Sequence, residues 1–169
     1  QIGVSNLFWD DINFKLKHHT IKEAKILIDK IRDENKEIMP LNLKVGLITS
    51  VTDHPNADKL YVIKVDIGIE ELQLVAGLKN FYTKDELKGK KIVVVTNLKP
   101  AKIRGVISAG MLLAADDGKQ IKLLLAEKSN PGDQVVIDGA EPTNKQITIE
   151  EFSKLKLITK NKKALYNNQ

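Results

Sequence analysis

The chain has 169 residues, of which 42% are hydrophobic and 29% charged, with a formal net charge of +5 and a pI of about 9.2. The apolar fraction excludes a disordered chain, and the length fits one domain with flanking segments. The absence of cysteine excludes a disulfide scaffold, a thiolate zinc site and a cysteine nucleophile. No apolar run approaches the roughly 20 residues of a membrane helix, so no membrane partner is expected.

The basic residues are concentrated in one part of the chain. Residues 41–142 are nearly neutral, with 14 basic and 13 acidic groups, yet the window 79–104 within them carries eight basic residues and two acidic ones. A further surplus, six basic against two acidic, lies in residues 143–169. A local surplus of this kind is typical of an anion-binding surface, and nucleic acid is one ligand that fits it.

Residues 1–40 form a lead-in to the rest of the chain. The aromatic and apolar cluster over 7–14 has no sustained period, which favours irregular packing. Thr20 and Glu23 then form a capping-box pattern, and apolar residues at helical spacing predict an amphipathic helix from about 21 to 37. Pro40 ends it, because proline disfavours helical geometry in the residue before it.

From Leu43 the sequence changes to short β-branched runs separated by turn residues, which predicts a small all-β domain. The predicted strands are Leu43–Val51, Leu60–Asp66, Leu72–Ala76, Lys91–Thr96, Gly110–Ala115, Ile121–Leu125 and Gln134–Ile137. A short helix is expected after the third of them, since Thr83 and Glu86 form a capping box and Gly89 follows.

This element order predicts a mainly β protein: an OB-fold barrel with a short helix after the third strand, an N-terminal helical lead-in and a short C-terminal extension. The predicted domains are a lead-in over 1–40, a barrel over 41–142 and an extension over 143–169. Thr148 and Glu151 mark a second helix start within the extension.

The segment 97–111 is the most informative candidate site. It follows an apolar strand and carries three cations within six positions, a stiffening proline and two glycines that allow close approach of backbone to a ligand. Its cations suit phosphates, Asn97 and Ser108 suit sugar or base edges, and Met111 suits packing against a base. A solvated connection between two strands is an equally good interpretation from composition alone.

The sequence offers no catalytic or metal constellation, and no cofactor is expected. His54 and Asp58 are too few for a three-ligand zinc site, so a structural turn is favoured for them. None of the serines has nucleophile-elbow spacing, and the glycines are wrongly spaced for a nucleotide-binding loop. Eight aromatic residues are also few for a binder that stacks single-stranded bases, which favours folded RNA read by shape and backbone.

Residues 43–139 resemble the tRNA-binding domain shared by methionyl-tRNA synthetase C-terminal extensions, the endothelial monocyte-activating polypeptide and yeast-type synthetase cofactors. The matching blocks are Lys44–Ile48, His54–Leu60, Val75–Leu78 and Asn97–Met111. The resemblance implies an OB fold that binds tRNA broadly, without catalysis, and raises the tRNA affinity of an aminoacyl-tRNA synthetase in cis or in trans. Its implied tRNA-binding positions are Asn97, Lys99, Lys102, Arg104, Ser108 and Met111.

The flanking segments carry weaker resemblances. Leu7–Ile12 and the helix after it are similar to the junction behind the anticodon-binding helices of methionyl-tRNA synthetases, and Ile149–Tyr166 resembles the start of the segment that the cytokine-like members add after the barrel. That segment covers a surface that bacterial relatives use to dimerise, so a partial cap and a homodimer both stay open.

Three functional interpretations follow. The leading one is a cytoplasmic tRNA-binding module of an aminoacyl-tRNA synthetase, and methionyl-tRNA synthetase is the one expected. The alternatives are a released cytokine-like polypeptide, suggested by Lys44–Thr49, and an assembly factor of a multi-synthetase complex. An ordinary first strand is the simpler interpretation of Lys44–Thr49, because its apolar positions alternate.

Overall fold

The computed structural model of the protein describes residues 37–136, 140–160 and 163–166. The residues from Ile38 onward belong to one compact unit, which contains both the barrel and the described part of the extension. The helix predicted over 21–37 lies outside the described residues, except that residue 37 begins the first strand.

The strands are β1 (Glu37–Met39), β2 (Leu43–Asp53), β3 (Tyr61–Asp66), β4 (Glu71–Ala76), β5 (Lys91–Val95), β6 (Ala101–Ile103), β7 (Val106–Ser108), β8 (Met111–Leu112), β9 (Ala114–Asp116), β10 (Ile121–Leu123), β11 (Gln134–Val135), β12 (Ala140–Pro142), β13 (Leu157–Lys160) and β14 (Lys163–Tyr166). The helices are α1 (Lys84–Leu87) and α2 (Ile149–Ser153). All seven predicted strands are present within a few residues, although the predicted Gly110–Ala115 strand is divided into β8 and β9.

The central sheet is antiparallel, in the order β4-β3-β2-β5-β8, with β11 also paired to β2. The register of β2 with β3 shifts between Ile48 and Ser50. The first part of β2 pairs with β5 and its second part with β3. An irregularity of this kind bends a strand and increases its twist, which allows one strand to serve both sides of a barrel.

The sheet curls until β4 meets the segment after β7. The Ala109 N–H donates to the Gln73 carbonyl at 2.8 Å, and Gln73 Nε2 donates to the Ile107 carbonyl at 2.9 Å. These bonds join the edge of β4 that does not face β3 to the segment at the end of β7. The OB-like barrel is therefore confirmed, and α1 follows its third strand, β4, with both halves of the Thr83–Glu86 capping box formed.

Strand β5 explains why the domain has two apolar cores. Ile92 and Val94 point into the barrel interior, whereas Val93 and Val95 belong to a second cluster on the outer side. A strand that is apolar on both faces must be covered on both faces. The Lys44–Thr49 segment is likewise part of β2, a central strand of the sheet, and Val45 and Ile48 are buried there.

The described part of the extension covers the outer side of β5. Ile147 forms a parallel bridge with Leu98 and is buried with it, and residues on and after α2 pack against the same cluster. The helix start predicted at Thr148 is present, because α2 begins there with a complete capping box. No helix in the described part of the chain combines the length and apolar character needed to cross a membrane.

Candidate nucleic-acid interface

The segment 97–111 contains a β-hairpin, formed by β6 and β7. Lys102 pairs with Ile107, while Ala101 pairs with Ser108 and Ile103 with Val106. Cross-strand partners share one face of a hairpin and successive pairs alternate between faces. Ser108 is buried whereas Ile107 is 55% exposed. The outer face of the hairpin therefore presents a lysine beside an isoleucine.

Arg104 and Gly105 form the turn of this hairpin. Their φ angles are +46° and +98°, and a two-residue turn with positive φ at both positions is the type I′ turn that suits the twist of a β-hairpin. Glycine accepts this conformation without cost, whereas arginine rarely adopts it. The turn places the exposed Arg104 at the tip of the hairpin, close to Lys102.

The cations of the basic window differ in what they contact. Lys79 lies 2.6 Å from a carboxylate oxygen of Asp53, and Lys84 pairs with the other oxygen of that group. Hydrogen bonds from Lys79 and then Lys84 lower the pKa of Asp53, and the bond to Asp53 raises the pKa of Lys79. Lys91 Nζ instead donates to the Ser129 carbonyl at 2.8 Å. These three cations already have partners within the protein.

The cations of the 97–111 segment are more available. Lys99, Lys102 and Arg104 are exposed, and no carboxylate in the described ranges lies within ion-pair distance of them. Within the basic window, Lys79 and Lys84 are therefore paired with Asp53 and Lys91 is bonded to a backbone carbonyl, whereas Lys99, Lys102 and Arg104 can meet an external anion.

Asn97, another predicted contact, is only 5% exposed. Its Oδ1 accepts from the Asn42 N–H at 2.8 Å, and its Nδ2 donates to the carbonyls of Pro40 and Lys145, both at 2.8 Å. The side chain therefore joins the segment before β2, the end of β5 and the extension, and its hydrogen bonds are made within the protein.

Ser108 and Met111 also face the protein. Ser108 is 5% exposed, and its Oγ accepts from the Val75 N–H and donates to the Gly110 carbonyl, each at 3.0 Å. It thus bridges β4 to the segment that closes the barrel. Met111 is half-buried and packs against the second core. Of the six predicted positions, three are exposed and three support the structure around them.

The hairpin also has contacts that sequence reasoning did not anticipate. His54 is buried, and its Nε2 lies 3.0 Å from the Ile103 carbonyl oxygen. Asn56 Nδ2 donates to the Arg104 carbonyl at 3.2 Å. The structural interpretation of His54 agrees with this geometry. Gly105 between two short β-forming runs was only a partial signal for the hairpin, because a type I′ turn favours Asn, Asp or Gly before its glycine and Arg104 occupies that position here.

The second glycine of the segment has an inward role. A Cβ at Gly110 would lie 2.7 Å from the Val95 carbonyl oxygen and 3.3 Å from Leu74 Cδ2. Its lack of a side chain therefore serves packing against β5 within the barrel, whereas the sequence interpretation attributed it to approach of a ligand. Within the described ranges, no group of three His, Cys, Asp or Glu side chains is arranged to hold a metal ion.

Comparisons with known proteins agree with this architecture. A family model described as "Putative tRNA binding domain" matches residues 43–134. A methionine–tRNA ligase of Thermococcus onnurineus is 48% identical over 126 residues, covering 74% of this chain and 17% of the ligase, and one of Borreliella afzelii is 36% identical over 179 residues, covering 94% and 24%. The chain thus spans about a fifth of the length of these curated relatives.

Two solved structures show the same fold. A MetRS-related protein from Pyrococcus horikoshii is 36% identical, with a TM-score of 0.54 and coverage of 57% of this chain and 90% of that one. The C-terminal domain of Plasmodium vivax p43 is 28% identical, with a TM-score of 0.68 and coverage of 79% and 87%. The family model matches more than half of this chain, and the chain therefore belongs to the tRNA-binding domain family.

Proposed function

We propose that the chain is a non-catalytic tRNA-binding module that acts in the cytoplasm with an aminoacyl-tRNA synthetase. The synthetase is methionyl-tRNA synthetase, and the module raises its affinity for tRNA. The family match and the methionine–tRNA ligase relatives support this assignment. A module of this kind works by tethering, because a second site on the same assembly raises overall affinity when both sites can be occupied together.

The tRNA-binding surface in this proposal is the outer face and tip of the β6–β7 hairpin, extended by Lys99. The observation that carries it is the grouping of exposed Lys102, exposed Arg104 and exposed Ile107 on one short hairpin. The cations would contact phosphates, and the isoleucine would pack against a ribose or base. Phosphate contacts carry no sequence information directly, which fits broad tRNA specificity.

The buried and half-buried members of the predicted set have a structural part in this proposal. Asn97, Ser108 and Met111 hold the two ends of the hairpin segment to the barrel and to the extension. Their effect on tRNA binding would be indirect, through the position of the exposed cations.

The scarcity of exposed aromatic side chains supports recognition of the tRNA through its sugar-phosphate backbone. Among the aromatic residues whose side chains the structure describes, Phe81 alone is exposed.

The test is tRNA binding by the Lys102→Ala/Arg104→Ala double variant across a salt series. Each lost phosphate contact reduces the slope of log K against log salt by about 0.7 to 0.9. We therefore expect the double variant to bind tRNA more weakly. Because two phosphate contacts are lost, its salt slope should be shallower by about 1.5 units. Lys122→Ala/Lys128→Ala is the matched control, because both lysines are exposed and lie on β10 and in the loop after it. Equal affinity and slope in the two double variants would reject the hairpin as the interface.

A further inference from the structure

We propose that His54 and Asn56 clamp the β6–β7 hairpin to the loop between β2 and β3 and so act as positioning residues for tRNA binding. The inference rests on the proposed function, because it concerns how the hairpin's cations are held. Loop and hairpin are far apart in sequence: His54 and Ile103 are separated by 49 residues, and Asn56 and Arg104 by 48.

The hydrogen bonds of His54 determine its tautomer. The Asn56 N–H donates to Nδ1 at 3.0 Å, so Nδ1 must be the acceptor nitrogen of the ring. Nε2 then carries the hydrogen and donates to the Ile103 carbonyl at 3.0 Å. The residue is 5% exposed. The imidazole thus joins the turn of the loop to the last residue of β6, with both nitrogens hydrogen-bonded.

Asn56 makes the second connection. Its backbone N–H orients His54, and its side-chain Nδ2 donates to the Arg104 carbonyl at 3.2 Å. A Cβ at Gly105 would lie 3.5 Å from the same Nδ2. Asn56 therefore bonds to Arg104 and lies beside Gly105, while its own side chain remains exposed.

The hairpin needs such a connection at its turn and at the end of β6. Its strands have three residues each, and an isolated two-stranded hairpin is marginally stable in water. Strand β7 is tied to β4 through Ser108 and through the Ile107 carbonyl. The turn and the end of β6 are tied through Asn56 and His54. A hairpin held at both strands presents its cations in one orientation, which lowers the ordering cost of binding.

The experiment measures tRNA affinity at fixed salt for Asn56→Ala alone and in the Lys102→Ala/Arg104→Ala background. Asn56 is exposed, so its truncation leaves both cores intact. We expect Asn56→Ala to weaken binding about threefold or more, within the range of coupling seen for residues in contact, and this loss should disappear when the hairpin cations are absent. Asn130→Ala is the matched control, because Asn130 is exposed in the loop that packs against Gly68, at the other end of β3.

A second measurement separates positioning from general stability. Amide resonances of Arg104 and Gly105 should shift and sharpen in Asn56→Ala, while those of β3 and β5 stay in place. His54→Gln keeps an N–H donor in place of Nε2 and should retain more affinity than His54→Ala, with both compared per folded molecule. Wild-type affinity in Asn56→Ala overturns the clamp. An equal loss in both backgrounds overturns it too, because Asn56 would then contact tRNA directly.

These outcomes are distinguishable from failure of the proposed function. If Lys102→Ala/Arg104→Ala binds tRNA as wild type does, the interface is wrong. If that variant is weakened and Asn56→Ala is not, the interface stands and the clamp alone is wrong.

Discussion

The side-chain amide of Asn97 donates from Nδ2 to the carbonyl oxygen of Lys145 at 2.8 Å, so the end of the barrel's fourth strand, β5, is tied directly to the C-terminal extension. The adjacent backbone continues the connection, since the Ile147 N–H donates to the Asn97 carbonyl at 3.0 Å and the Lys99 N–H to the Ile147 carbonyl at 2.9 Å. The extension therefore borders the residue that begins the proposed tRNA-binding surface.

We expect Asn97→Ala to lower the free energy of unfolding without removing a direct contact with tRNA. The substitution leaves the Asn42 N–H and the Pro40 and Lys145 carbonyls without their partner, and a buried group left unsatisfied costs about 1–3 kcal/mol. A loss of about 2–4 kcal/mol in the free energy of unfolding is expected in urea titration, from more than one such group. An unchanged unfolding free energy with lost tRNA affinity would instead identify Asn97 as a direct RNA contact.

Replacing Ile107 tests the apolar part of the surface. Ile107 is 55% exposed beside Lys102, so Ile107→Ala should change stability by less than about 0.5 kcal/mol. We expect tRNA binding to weaken by about 1 kcal/mol, a fraction of the value for full burial of an isoleucine. The salt slope should be unchanged, because no charge is removed. Val136→Ala is the control, since Val136 is 62% exposed elsewhere.

Replacing Arg104 with glycine should affect the free energy of unfolding and the affinity for tRNA in opposite directions. Its φ of +46° is unfavourable for a side chain with a Cβ. Arg104→Gly removes that cost, and we expect the unfolding free energy to stay equal or rise by up to about 1 kcal/mol. The same variant should bind tRNA more weakly, with a salt slope shallower by about one unit.

Arg104→Lys provides the charge-conserving control. It retains one cation at the turn, so its salt slope should match that of wild type. A slope in Arg104→Gly equal to that of Arg104→Lys would show that Arg104 makes no phosphate contact.

The capping box of α1 predicts a dependence of stability on pH. Hydrogen bonds from the Thr83 backbone and then from its side chain lower the pKa of Glu86 below its ordinary value of 4.5. A carboxyl whose pKa is lower in the folded state stabilises the fold above its unfolded pKa and loses that contribution as the pH falls through the folded value. Urea midpoints should therefore fall less steeply below pH 4.5 in Glu86→Gln than in wild type.

Glu127→Gln is the control for that titration, since Glu127 is an exposed residue in the loop after β10. Parallel pH profiles in Glu86→Gln and wild type would show that this capping contact contributes nothing measurable to stability. The effect is expected to be small, because Glu86 is exposed and solvent screens its interactions.

The sequence by itself determined the strands of the barrel and its short helix. Alternating β-branched runs specify strands through local side-chain packing, and Thr83 with Glu86 specifies a helix start through bonds made within three residues. Both signals are local, so they can be read without knowing the partners. The same holds for α2, whose start at Thr148 follows from the same pattern.

Only the tertiary structure decided which polar residues of the 97–111 segment face outward. Asn97 and Lys99 are both polar in sequence, yet Asn97 is buried by contacts with residues 48 to 57 positions away, whereas Lys99 is exposed. Likewise, the connection from His54 to the hairpin spans 49 residues. Burial and hydrogen-bond partners depend on chain segments that only folding brings together, and no local pattern encodes them.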